Sequence, residues 1–125
     1  MTNAILTVFA TVKPLPEGVK IRPGHWPEDA PAIAMVRRRV FIEEQGVPEA
    51  LEWEAIDPEC DWFVACTGDA VVGIVRLTLQ GRIGRMAVLT DWRGRGIGSG
   101  LLDQALAGAV RLGLPQVELH AQCHA

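Results

Sequence analysis

The chain has 125 residues, 49% of them hydrophobic, which is enough to bury the core of one α/β domain and too little for two. Its 15 acidic residues against 12 basic ones leave a formal net charge of -3, which argues against general attraction to nucleic acid or an anionic membrane and confines any anion site to a local feature. The cysteines, Cys60, Cys66 and Cys123, are odd in number and form no C-x-x-C pair; reduced cytoplasmic thiols are expected, and no metal site.

In chain order, the run Ile5 to Ala10 lacks a basic leader and is far too short to span a bilayer, so no export signal or anchor is expected. Lys13 to Gly18 is rich in turn residues. Residues 1–18 therefore read as an extension, an extra edge strand or a loose segment, and residues 19–125 as the domain. Val19 to Arg22 alternates as a half-buried strand, and Pro23-Gly24 breaks it. A helix is predicted from near Pro27 to near Gly46, with Ile33, Val36, Val40 and Phe41 on its apolar face and Arg37, Arg38 and Glu44 on the others.

Asp61 to Thr67 and Ala70 to Leu79 read as a hairpin about Gly68-Asp69, and Gln80-Gly81 turns the chain into a third strand, Arg82 to Leu89. The three form an antiparallel meander, and Gly84 hints at a bulge. A second long helix carries Leu101, Leu102, Ala105, Leu106, Ala109 and Leu112 on one stripe and stops at Gly113, before Pro115. Gln116 to Ala121 is a last strand, which, reached through a helix, should lie parallel to Arg82 to Leu89.

The chemistry gathers between the third strand and the second long helix, in Arg93-Gly94-Arg95-Gly96-Ile97-Gly98-Ser99-Gly100. A glycine-rich turn opening a helix leaves successive N–H groups aimed at an anion, and the helix dipole adds about 0.3–1 kcal/mol for each nearby negative charge. Arg93 and Arg95 add planar donors, which suits a diphosphate. Walker A fails because no lysine follows these glycines, and the dinucleotide pattern G-x-G-x-x-G fails at Ser99, Leu101 and Asp103.

Arg93, Gly96 and Gly98 meet the pattern [QR]-x-x-G-x-[GA], by which the chain resembles the GNAT acetyltransferase family. Arg85-Met86-Ala87-Val88 looks like the strand that feeds the family's loop. Arg37 to Pro48 is similar to the opening helices of its small bacterial ElaA-like subgroup, and with Glu118 to Gln122 the resemblance runs from about Val19 to Ala125. It implies a mixed sheet with a splayed parallel pair of strands, and acetyl-CoA as co-substrate. The pantetheine arm would lie along Met86, Ala87 and Val88. The diphosphate would sit on the N–H groups of Arg93, Gly94, Arg95, Gly96, Ile97, Gly98 and Ser99, and Gln122 falls where relatives carry a cofactor-contacting asparagine.

The implied reaction is acetyl transfer to a primary amine of a small molecule or peptide, by direct attack on the thioester. An N–H near Val88 would stabilise the carbonyl oxygen. An alkylammonium, with a pKa near ~10.4, must lose a proton first, and Glu43 and Glu44 are the candidate bases. His120, His124, Trp53, Trp62 and Trp92 read as ordinary structural residues. Glu49, Glu52, Glu54 and Asp57 suit a cationic amine or, equally, a solvated loop.

Relatives continue past the position of Ala125 with a tyrosine-bearing helix and closing strands. The tyrosine serves there as proton donor to the leaving thiolate, and this chain has no tyrosine. The resemblance thus implies a domain cut short, with an exposed edge strand open to self-association or homodimerisation. The alternatives are a coenzyme A-binding module without turnover and a fragment completed by a partner chain.

Overall fold

The computed structural model describes residues 14–120. Strand β1 (Val19–Pro23) leads to helix α1 (Ala30–Arg37), which runs on as a π-helical segment, Arg38–Glu44, and then to the short helix α2 (Glu49–Glu52). Strands β2 (Asp61–Thr67), β3 (Ala70–Leu77) and β4 (Arg82–Val88) follow, then helix α3 (Ile97–Arg111) and strand β5 (Glu118–Leu119). The strands lie in chain order, antiparallel from β1 to β4, and β5 is parallel to β4.

Both faces of the sheet are covered, which is why β2 and β3 are nearly continuous apolar runs. On one face, Phe63, Ala65, Val75 and Leu77 pack with Ile97, Leu101, Ala105 and Ala109 of α3. On the other, Trp62, Val64, Ile74 and Ala87 pack with Ile33, Val36, Val40 and Phe41. Full burial of such a side chain contributes about 1.5–3 kcal/mol, so these two layers fix the fold. The meander, the buried positions Ile33, Val36, Val40 and Phe41, and the parallel last strand are as the sequence predicts, whereas Leu112 lies past the end of α3 and is 48% exposed. Leu114 N–H bonds Ala109 C=O and Gly113 N–H bonds Val110 C=O, closing α3 with a left-handed Gly113.

Some boundaries differ. The first helix starts at Ala30 rather than near Pro27, because the Asp29 carboxylate is taken by Arg22 (2.8 and 2.9 Å) and by the His25 N–H (2.7 Å), which holds 25–29 in a turn. Strand β3 stops at Leu77, because the Thr78 C=O and hydroxyl accept from the N–H groups of Gly81 and Arg82 and begin the turn. Strand β5 is limited to Glu118–Leu119 among the described residues.

The bulge falls beside Gly84 rather than on it. Ile74 pairs with Ala87 and Arg76 with Gly84, so Arg85 and Met86 together face Val75, one residue too many. Arg85 takes φ 48°, which costs an L-residue about 1–2 kcal/mol. Gly84 itself answers to the residue after β5, since a Cβ there would lie 3.3 Å from the His120 Cβ.

Candidate functional site

Strand β4 runs through a short turn at Thr90–Trp92 into the glycine-rich loop. Gly94 and Gly96 have φ 75° and 86°, a left-handed backbone that glycine adopts without penalty. Gly96 stands as the N-cap of α3 with no side-chain cap, and the first intrahelical bond is Gly100 N–H to Gly96 C=O at 3.1 Å. The N–H groups of Ile97, Gly98 and Ser99 therefore have no acceptor within the helix. A Cβ added at Gly94 or Gly98 would meet nothing within 4 Å, so both glycines border open space. That space is a cleft of about 360 Å³ lined by Val88, Trp92, Arg93, Gly94 and the turn from Gly96 to Ser99.

Arg93 and Arg95 differ. Arg93 donates from Nε to the Val88 C=O (2.8 Å) and from both terminal nitrogens to Glu44 (2.6 and 2.6 Å). Its hydrogen bond to Glu44 holds the guanidinium pKa above its usual range. It braces the loop against β4 and the end of the π-helical segment. Arg95 stacks over the Trp92 ring at 5.2 Å and is exposed.

At the end of β4, the Leu89 N–H bonds the Val72 C=O, and Val88 lies opposite Gly73. Since antiparallel residues alternate, the Val88 N–H and C=O point away from β3, to the β5 side. Ala87 is buried against α1, and Met86 is 38% exposed. Glu44 reaches this region through Arg93; among the described residues, Glu43 shares no hydrogen bond or ion pair with β4 or the loop. Gln122, Cys123 and His124 lie outside the described residues.

Sequence reasoning missed a buried ionic cluster on the α1 side of β4. Arg37 is 1% exposed, not on an outer face, and it donates to Glu52 and Asp57 at 2.8 Å each and to the Glu52 C=O. Arg76 bonds Glu54 (2.6 Å) and Asp57 (2.9 Å). Arg85 reaches Glu52 at 3.4 Å and Glu54 at 3.2 Å. Burial pushes the Asp57 carboxyl up, but the Glu54 N–H and the two arginines outweigh it and hold the pKa below the usual carboxylate value. Glu52 and Asp57 are thus internal counter-ions rather than a solvated loop. The available signal was position: Arg37 is four residues after Ile33 and three before Val40, on the apolar stripe, and Arg76 lies among buried strand residues.

Of the tryptophans, Trp62 is core, stacked on Trp26, and Trp53 lies against Arg37 and Arg38. A larger hollow, about 800 Å³, opens near the start of α1 between Arg22, His25, Trp26 and Cys60. Glu28, Glu59 and Asp61 rim it, and Asp29 already occupies Arg22. Its negative rim disfavours a diphosphate.

A mixed five-stranded sheet, an open glycine turn and an uncapped helix mouth define a class of α/β protein with main-chain N–H groups left free at a helix terminus. The Acetyltransferase (GNAT) family matches residues 27–124, and the chain belongs to that family. A Bacillus subtilis (strain 168) protein named as an acetyltransferase is 29% identical over 96 residues, 72% of this chain and 65% of that protein. The chain thus spans just under two thirds of that curated relative's length. A Lactobacillus plantarum protein, crystallised under the name of an N-acetyltransferase, is 28% identical with a TM-score of 0.76 over 86% of this chain and 77% of that one. Escherichia coli ElaA shares the fold at 22% identity, with a TM-score of 0.74 over 85% of this chain and 80% of its own. No helix among the described residues is long and apolar enough to cross a membrane.

Proposed function

We propose that the chain binds acetyl-CoA at the mouth of α3 and transfers the acetyl group to a primary amine. The observation that carries this reading is the open space beside Gly94 and Gly98, directly in front of three N–H groups with no helical acceptor. A diphosphate bound there would be held mainly by main-chain donors and the helix dipole, with Arg95 in the same loop. The main chain of Met86, Ala87 and Val88 would line the acyl arm, and the Val88 N–H, turned away from β3, is the donor offered to the thioester oxygen.

The bound co-substrate supplies an activated acyl group: the amine nitrogen bonds the carbonyl carbon as the carbon–sulfur bond breaks. Proximity contributes on the order of 7–11 kcal/mol at best. Glu44 is the proposed general base, directly or through water, because Arg93 links it to the end of β4; Glu43 is the second candidate. The acceptor is a small-molecule or peptide amine, met on the side of residues 45–57, and Gln122 is proposed as a further cofactor contact. Isothermal titration with acetyl-CoA tests the assignment, and an absence of binding heat together with no competition by coenzyme A would sink it.

A second reading, cofactor binding without turnover, is favoured by one observation: both carboxylate oxygens of Glu44, the proposed base, already accept from Arg93 at 2.6 Å. Thiol release across a panel of primary amines separates the two, since binding with no release above the amine-free rate selects the second.

A further inference from the structure

Among the described residues, Arg85 is the one residue other than glycine with positive φ, 48°. It occupies the β4 bulge, where the backbone favours glycine, yet its side chain is 18% exposed and turned toward the loop after α2. Its guanidinium lies 3.4 Å from the Glu52 carboxylate, 3.4 Å from the Glu52 C=O and 3.2 Å from the Glu54 carboxylate. Each acid is anchored a second time, Glu52 by Arg37 of α1 at 2.8 Å and Glu54 by Arg76 of β3 at 2.6 Å.

The position of the bulge gives the clamp its meaning. Before it, Arg82 and Ile83 pair with Glu118 and Leu119 of β5. After it, the Val88 main chain faces away from β3. The bulge therefore lies between the residues paired with β5 and the Val88 main chain that faces away from β3, and its conformation sets the direction of the strand that follows it.

We infer that Arg85 is a positioning residue of the proposed site: its pairs with Glu52 and Glu54 clamp the β4 bulge and aim the main chain of Met86 to Val88. This rests on the proposed acetyl-CoA reading for the ligand that would use those groups, while the clamp itself is a property of the ligand-free chain. It also ties the loop from Glu52 to Asp57, the expected acceptor side, to the donor side of the site.

Two variants separate side chain from backbone. Arg85→Gly retains access to positive φ and removes the clamp, and Arg85→Lys retains the charge. Amide hydrogen exchange on the ligand-free protein is expected to accelerate at Ala87 and Leu89, whose N–H groups face β3, by about tenfold or more in Arg85→Gly, with Leu101 to Ala109 of α3 unchanged. Acetyl-CoA affinity should fall about threefold to tenfold, and Arg85→Lys should recover over half of both losses. Wild-type exchange in Arg85→Gly, or equal acceleration in β4 and α3, overturns the inference. Should Arg85→Gly not fold, Glu54→Gln is read by the same criteria. A wild-type chain that binds no acetyl-CoA defeats the functional reading, and the exchange measurement then upholds or overturns the clamp by itself.

Discussion

Arg37 and Arg93 each hold a carboxylate through short bonds, but in opposite surroundings. The side chains of Arg37 and Glu52 are each 1% exposed, whereas those of Arg93 and Glu44 are 40% and 41% exposed. In the interior, charge is matched by charge: Arg37, Arg76 and Arg85 face Glu52, Glu54 and Asp57, and no net charge is left to attract a ligand. At the mouth of α3, Arg93 is engaged by Glu44 while the N–H groups of Ile97 to Ser99 are left without helical partners. Arg93 thus serves as a brace, and the proposed anion site rests on main-chain dipoles at a helix terminus.

The contrast is broken most severely from the inside. Arg37→Ala leaves Glu52 and Asp57 buried without a main partner, and a loss of about 3–5 kcal/mol is expected, seen in urea unfolding as a lower midpoint. Gly98→Glu should do the reverse. A Cβ at Gly98 has open space and a carboxylate in the first turn suits the dipole, so stability should change by less than about 0.5 kcal/mol. Acetyl-CoA affinity should fall about tenfold or more by titration calorimetry, as like charges meet in the cleft. If affinity is retained, the diphosphate does not sit at this mouth.

A third ion pair, Arg22–Asp29, calibrates the surface end of the comparison. Hydrogen bonding from Arg22 lowers the Asp29 pKa from 3.8 to about 2. A depressed carboxyl stabilises the fold fully above the unfolded pKa and loses that contribution as pH falls through the folded one. The increment should therefore vanish between about pH 4 and pH 2 and, after solvent screening, amount to no more than about 1 kcal/mol. Thermal unfolding of Asp29→Asn across that range should show the loss of this acid-sensitive step. The smallest effect on binding belongs to Glu44→Gln, apart from the loss of turnover expected of the proposed base: with the carboxylate neutralised, Arg93 adds unbalanced positive charge beside the cleft, and acetyl-CoA affinity should rise about threefold at low salt and converge with wild type at high salt.

Much of the architecture was legible because it depends on period and punctuation. Alternation and turn residues placed β2, β3 and β4; the stripe from Leu101 to Ala109 placed α3; and Gly113 marked its end, since each signal is local. The bulge was one position off because a glycine in a strand has several causes, and here Gly84 makes room for His120, the residue after β5, a contact far away in the chain. The start of α1 was early because the Asp29 side chain was committed to Arg22 rather than to the helix mouth. For the candidate site, the glycine loop was plain in the sequence, but the engagement of Arg93 with Glu44 spans 49 positions and has no local trace.

By itself, the sequence determined the strand–loop–helix unit, its glycine-rich turn and membership of the GNAT acetyltransferase family, because backbone conformation and helix-terminal dipoles follow from neighbouring residues. Only the tertiary structure decided which charges turn inward. Whether Arg37 or Arg93, Glu52 or Glu44 meets solvent depends on which distant carboxylate or guanidinium the fold brings within 3 Å, and the desolvation of a charge is set by everything packed around it.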